Sequence, residues 1–414
     1  MSPTVRSAVI LAALALAVLL VGPLVPLLGA LALLVAMIVD ARAVAHAPSV
    51  HVAFPGVLAR GVSTRLEIEV APGPQRRAWI RQPCPAGFSI VPAEGADRLG
   101  ALLTPALRGR HTLPAPAVRL VGPLGLASWD HSIGAPHELV VYPDLPAARR
   151  LARAARTGSL GEPLRQRGPL GIGTEFELVR DHVDGDDIRQ MNWLATARLG
   201  RPMTNQFRVE SERDLLCLID CGRLMTAPIA DRTRLDVALD ATAAVTLVAE
   251  ELGDRCGAVA FDNAVRRTIE PGRRSATSVM RSLFDLQARP VESDYERAFA
   301  LAGARKRAIV VLFTDLLDER AARAMVAAAA VLARRHSVIV ASPSDPAIDE
   351  LPDREPELPL HVYASAVALH VLAQRAAATA RLRHHSDEVV EAPPARFSAA
   401  CVRAYLRIKS QARA

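Results

Sequence analysis

Two aspartates stand where an apolar run meets polar chain: Asp220 closes LLCLID and Asp315 follows AIVVLFT. In an α/β sheet ligands bind outside the carboxyl ends of the strands, so these two carboxylates are the first positions to examine for chemistry. The densest gathering of polar and special residues is the segment from Gly168 to Asp214, which reads GPLGIGTEFELVRDHVDGDDIRQMNWLATARLGRPMTNQFRVESERD. Its Arg180, Arg189 and Arg198 are suited to bidentate pairing with Glu175, Glu177 or Glu210, bracing the segment against the last domain, or to contact with a partner. Asp186 or Asp187 is placed to cap a helix beginning at Ile188.

Other chemistries lack their residues. The run Gly171–Ile172–Gly173 is followed neither by Gly-Lys-Ser/Thr nor by the last glycine of GxGxxG, which argues against nucleotide binding. GxSxG and HExxH are absent. His384 and His385 end a helical pattern, where they complement the helix dipole. A thiol nucleophile such as Cys221 would need an adjacent base, and the histidines nearest in sequence are remote. The five cysteines, Cys84, Cys217, Cys221, Cys256 and Cys401, show no CxxC spacing and fit a reducing compartment.

The elements that must hold these residues are set by periodicity. Short alternating segments, Thr64–Val70, Ala78–Gln82, Val118–Val121 and Glu138–Tyr142, predict a β-sandwich-like domain over residues 43–147. It contains no gathering of titratable groups and is expected to be structural. Residues 148–210 are expected to be a linker and the polar segment, with Pro146–Arg167 an exposed linker or short helix. From residue 211 to 414 apolar runs alternate with amphipathic stretches. Strands are expected at Leu215–Asp220, Gly257–Phe261, Val265–Ile269, Ala308–Thr314 and Ser337–Ser342, and helices at Arg234–Leu252, Ser275–Leu286, Tyr295–Ala304 and Glu319–Arg335. That alternation predicts a parallel, doubly wound sheet. A tail adds helices at Tyr363–Arg383 and Ala395–Lys409 around a short strand at Glu388–Val390.

Residues 7–39 carry no charge. As one helix they would extend about 50 Å, too long for a hydrocarbon core of about 30 Å. Gly22, Pro23 and Pro26 interrupt the run and predict a helical hairpin anchor over residues 1–42, with arms Ser7–Val21 and Leu27–Val39. Arg6 and Arg42 flank it, so the positive-inside bias puts both ends, and the soluble remainder, in the cytoplasm. A single tilted span and a cleaved signal are the competing readings. The chain of 414 residues has net charge +7, nearly all arginine, with lysine only at Lys306 and Lys409. The arginines are dispersed rather than gathered into a stripe, which argues against nucleic acid as partner.

The order and spacing of Gly171, Gly173, Glu175, Phe176, Arg180, Gly185, Asp186, Arg189, Trp193, Ala197 and Arg198 resemble the signature of domain-of-unknown-function family 58. GPLGL at Gly122–Leu126 and VVYP at Val140–Pro143 add to the resemblance. It implies a membrane hairpin, a β-rich segment and a von Willebrand factor A-like Rossmann domain. It further implies a MoxR-type AAA+ ATPase as partner, by analogy with commonly neighbouring genes. Von Willebrand A domains often hold a divalent metal through Asp-x-Ser-x-Ser, a later-loop Thr and an Asp after the fourth strand. Here Asp220 is followed by Cys221, Gly222, Arg223 and Leu224, so both serines are missing, while Asp315 remains and Ser293 or Asp294 falls at the loop position. A magnesium site is therefore expected to be degenerate and weak, and no other cofactor is expected. The alternative has Asp220 and Asp315 accepting bonds from helix N-termini, with Arg223 supplying the positive charge. The function expected is a noncatalytic membrane-anchored interaction or adaptor protein in protein assembly or maturation. An accessory hydrolase or transglutaminase-like enzyme is the alternative.

Overall fold

A computed structural model describes residues 2–159, 170–171, 175–183, 186–208, 213–273, 275–315 and 319–411, with the side chains of residues 21, 170–171, 175–177, 206–208 and 319–324 outside the description. Gly173 and Gly185, both in the signature, lie outside the described residues. The chain forms two compact units, Met1–Tyr142 and Pro143–Ala414.

The first unit begins with two apolar helices, α1 (Val5–Val21) and α2 (Leu24–Ala43). The break falls at Gly22, whose φ of +78° suits a residue without Cβ. Pro26 lies within the first turn of α2 rather than at the break, where its missing N–H costs no helical bond. The helices touch closely: a Cβ on Gly29 would lie 2.8 Å from a methyl of Leu14. By length and composition α2 is able to cross a membrane, and α1 is a shorter apolar helix.

Both ends of this pair are fastened to one loop, Gly122–Leu126. Asp40, in the last turn of α2, is wholly buried, and its carboxylate accepts the N–H groups of Leu124, Leu126 and Ala127 at 2.7, 2.7 and 2.9 Å. Only glycine fits at position 122, where a Cβ would come within 2.3 Å of the Asp40 carboxyl carbon. At the other end the Thr4 hydroxyl donates to the Gly125 carbonyl at 2.7 Å, and Ser2–Pro3 pairs antiparallel with Ala127–Ser128. The rest of the unit is three mainly antiparallel sheets around one core of Leu66, Ile68, Ile80, Leu103, Val118, Leu139 and their neighbours. Thr64–Val70 alternates as its sequence requires, with Leu66 and Ile68 inward.

The second unit opens with α3 (Leu145–Arg156), the short helix among the expected alternatives but not exposed throughout: Ala148, Ala152 and Ala155 form a buried face. Next comes a small antiparallel sheet containing β1 (Glu175–Asp181) and β2 (Met203–Arg208), with α4 (Trp193–Leu199) between them. The main sheet uses β3 (Asp214–Asp220), β4 (Arg255–Phe261), β5 (Val265–Gly272), β6 (Ala308–Phe313), β7 (Ser337–Pro343) and β8 (Glu388–Ala392) in the order β5-β4-β3-β6-β7-β8. All neighbours are parallel except β5, which pairs antiparallel with β4. The sheet is therefore mixed rather than parallel throughout. A tight turn at Asp262–Ala264 leaves no length for the crossover that a parallel strand needs.

Helices α5 (Arg234–Glu251), α6 (Ala276–Leu283), α7 (Tyr295–Gly303), α8 (Glu319–Leu332), α9 (Pro359–Arg383) and α10 (Pro394–Gln411) complete the unit. Of these, α5 is buried on nearly every face. The last helix is tied to the chain between α5 and β4 by a fully buried pair, Lys409 to Asp254 at 2.5 Å, with the Tyr405 hydroxyl donating to the same carboxylate.

Candidate functional site

At the carboxyl end of the main sheet the two expected aspartates lie close together in the fold. The local cause is β3, whose buried run LLCLI ends at the first position that carries charge, leaving Asp220 about 1% exposed. Its carboxylate is saturated. One oxygen accepts the Gly222 N–H at 2.8 Å and the Ser293 hydroxyl at 2.5 Å, and the other accepts the hydroxyls of Tyr295 and Thr314, each at 2.8 Å. Burial, then the neighbouring Asp220 charge, pushes the Tyr295 phenol pKa up, so that hydroxyl keeps its proton and donates.

Asp315 meets Arg234, the first residue of α5, at 3.0 Å, and the same guanidinium nitrogen reaches the Pro343 carbonyl at 3.1 Å. Both side chains are about 2% exposed or less. This corrects two expectations. The donors around Asp220 are mainly side-chain hydroxyls, not helix N-termini. The compensating cation is Arg234, not Arg223, which pairs instead with the exposed Glu292 at 2.8 Å. Of the two loop positions, Ser293 joins the cluster, whereas Asp294 caps α7 by accepting the Arg297 N–H. A Cβ on Gly222 would fall 2.0 Å from the Ser293 oxygen, so that hydroxyl fills the space a side chain at 222 would need. Oxygen ligands are present, but those of Asp220 are taken by four donors and Asp315 is already met by a positive charge. Among the described residues no group of three or more His, Cys, Asp or Glu is arranged to hold a metal.

Sequence reasoning misses Arg234, although a signal exists. An arginine at the positive end of a helix that is apolar on most faces is electrostatically misplaced unless a buried acid meets it. Cys221 is fully buried, and its thiol donates to the Ile219 carbonyl at 3.5 Å. Burial pushes the Cys217 thiol up to about 12. All five cysteines are outside disulfides, and Cys84 alone of them is exposed.

The signature segment is built differently. Arg180, near the end of β1, grips Asp186 with two bonds of 2.7 and 2.6 Å, and Asp186 also accepts the Val183 N–H at 3.0 Å. The Arg180 guanidinium, then that backbone N–H, hold the Asp186 carboxyl down at about 2. Asp187, not Asp186, caps the short 3-10 turn Ile188–Gln190. Asn192 caps α4 through the Ala195 N–H and donates its amide to Asn205 on β2 at 2.8 Å. The Thr196 hydroxyl accepts the Met203 N–H at 3.0 Å, and His182 bonds the buried Thr204 at 2.7 Å. Gly200, at φ +67°, ends α4.

What these bonds leave outside is the other half of the signature. Trp193 is 67% exposed, Leu194 65% and Ile188 69%. Arg189 and Arg198 are exposed too, with no ion pair among the described residues. The expected partners Glu175, Glu177 and Glu210, and the side chain of Phe176, lie outside the description.

These features define a class: a mixed α/β unit with a saturated cluster at its strand ends and a separate antiparallel module that displays apolar and arginine side chains. Within that class the chain belongs to the family described as "Protein of unknown function DUF58", whose pattern matches residues 178–403, more than half of the chain. An uncharacterized protein of Mycobacterium tuberculosis (strain H37Rv) is 27% identical over 223 residues, 49% of this chain and 68% of the relative. An uncharacterized protein of Mycobacterium bovis matches to the same extent. Among solved structures, a cohesin module from a Clostridium perfringens glycoside hydrolase aligns with 23% of this chain and 97% of its own at 7% identity and a TM-score of 0.16. The sulfur carrier protein SoxY of Chlorobium limicola aligns with 26% of this chain and 97% of its own at 14% identity and a TM-score of 0.15. Scores this low bear on neither fold nor function.

Proposed function

We propose that this chain is a noncatalytic, membrane-anchored adaptor whose signature module docks a partner protein, a MoxR-type AAA+ ATPase by family analogy, in the assembly or maturation of other proteins. The observation that carries this reading is the division within the module. Arg180, Asp186, Asn192 and Thr196 are spent on one another and on the backbone, and the product is a rigid display of Ile188, Arg189, Trp193, Leu194 and Arg198. Exposed apolar groups clustered with arginine are the usual composition of an interaction surface, and exposed arginines with no ion pair among the described residues favour an acidic partner. In this reading the second unit is von Willebrand factor A-like with its metal replaced by Arg234, and no cofactor takes part.

The anchor is the α1–α2 hairpin, with the soluble units cytoplasmic. Supporting this, both ends of the helical pair are fastened to the same loop, as a chain that crosses a bilayer and returns requires. Arg6 and Arg42 flank the pair on that side. An enzymatic reading built on Cys221 draws no support from a thiol that is wholly buried. The test is capture of a co-expressed ATPase from solubilised membranes. Trp193→Ala and Arg189→Ala should abolish capture while the melting temperature holds; capture undiminished in both would overturn the proposal.

A further inference from the structure

The foot of the helical pair brings together positive charge that has no ion-pair partner among the described residues. Arg6 lies in the first turn of α1 and Arg76 just before the strand Arg77–Arg81, far apart in sequence. The fold brings them to one place. A guanidinium nitrogen of Arg76 lies 3.1 Å, and one of Arg6 lies 3.5 Å, from the point a Cβ on Gly125 would occupy. Both side chains are exposed, and among the described residues neither has an ion-pair partner. Asp40 approaches the same loop from inside, but its oxygens are taken by three backbone N–H groups. The first turn of α1 contains no acid, so the positive end of the helix dipole adds to the charge.

Apolar and aromatic groups frame these two cations. Val5 is 81% exposed and Leu124, in the same loop as Gly125, is 53% exposed. Trp79 is half-exposed and lines one hollow with Val5, together with the ion pairs Arg81–Glu94 and Arg119–Asp130, and the Arg77 guanidinium lies 5.8 Å from its ring centre. Arginine, tryptophan and exposed aliphatics at the root of an apolar helix pair are the composition of a membrane–water boundary. Gly125 has φ +73°, and any Cβ there would press on Arg76, so glycine keeps the space between the guanidiniums open.

We propose that Arg6 and Arg76 clamp the phosphate of an anionic phospholipid, of the phosphatidylglycerol type, in the leaflet from which α1 and α2 emerge. The site rests on the reading of α1–α2 as a membrane anchor. Guanidinium forks match phosphate oxygens in pairs. The exposed aliphatic residues alongside favour a phosphate that carries acyl chains over a free ion. The GPLGL loop thus has two tasks: its backbone holds Asp40, and its glycine at 125 makes room for the headgroup.

The experiment uses the full chain in nanodiscs of phosphatidylcholine, with and without phosphatidylglycerol, read by native mass spectrometry of retained lipid and by thermal melting. The wild type should enter both, retain phosphatidylglycerol selectively and melt higher in its presence. Arg6→Ala/Arg76→Ala should still enter both but retain the anionic lipid about thirtyfold less well, at about fivefold for each arginine near the surface. Arg65→Ala/Arg98→Ala, which removes the same charge elsewhere on the unit, should behave as wild type. Equal retention by the Arg6/Arg76 variant, equal loss in the control, or full stabilisation by inorganic phosphate alone would each overturn the site. Failure of the wild type to enter any disc would instead sink the anchor, and the lipid site with it.

Discussion

Around Asp220 and Asp315 the polar groups are engaged inside the fold, Asp220 by four donors and Asp315 by Arg234, whereas on the β1–β2 module the polar residues hold one another and the tryptophan, leucine and arginine side chains face outward. Both regions are rich in residues that do chemistry elsewhere. The first consumes them in stability, since a buried carboxylate with four donors and a buried arginine opposite its neighbour leave no free ligand or acid to use. The second uses a few bonds to fix a surface and leaves that surface unsatisfied. A dense motif therefore does not mark a reaction centre by density alone; what matters is which of its groups remain available.

The comparison breaks most visibly at the strand ends, at Arg234 and Asp220. Arg234→Ala leaves Asp315 buried without its countercharge and should cost about 3–5 kcal/mol, measured by chemical denaturation. Trp193→Ala should stay within about 0.5 kcal/mol of wild type. Equal losses in the two variants would erase the distinction between the regions. Asp220→Ala should cost at least as much, since it takes the shared acceptor from four donors at about 1–3 kcal/mol for each buried donor left unpaired. If that cluster takes no metal, millimolar magnesium or manganese should barely move the melting temperature of the wild type. A ligand at a hundred times its dissociation constant would add about 2.7 kcal/mol, and a shift of that order that disappears in Asp220→Ala would restore the metal reading.

Smaller effects sharpen the contrast through pH. Asp186 is depressed from 3.8 to about 2, so its contribution is complete above the unfolded value and is lost only as pH falls through that interval. Carboxyl NMR should find Asp186 ionised at pH 4 in the wild type, and titrating at a higher value in Arg180→Ala, where the Val183 N–H still favours the carboxylate. His336 behaves in the opposite region of pH. Burial, then the Arg335 charge, lowers its pKa from 6.5, so the fold favours the neutral ring. That stability is intact above 6.5 and declines as pH falls below it towards the folded value. His336→Gln should remove this small step from the stability–pH curve; a step that persists would assign it to another group.

The main sheet is legible in the sequence because its strands are apolar runs bounded by helices with clear periodicity, and Leu215–Asp220 ends where its charge predicts. The antiparallel direction of β5 escapes that reading, although the short Asp262–Ala264 turn is the available clue. At the strand ends, Asp220, Asp315 and Ser293 are accessible through their positions in the pattern. Tyr295, Thr314 and Arg234 are not, because their roles depend on contacts between elements distant in sequence. In the signature, spacing draws attention to Arg180, Asp186, Trp193 and Arg198 together. It does not separate the pair that binds internally from the pair that faces solvent, since burial is a tertiary property.

Gly222 bears on how such a site changes over time. A serine there would put its Cβ 2.0 Å from the Ser293 oxygen. Placing a hydroxyl at 222 meets a clash before it gains a ligand, and removing Ser293 first strips a donor from Asp220. Arg234 would have to leave as well, and each change made alone passes through a less stable protein. A cation site at these strand ends is thus closed to single substitutions, because each change made alone meets the packing of the others.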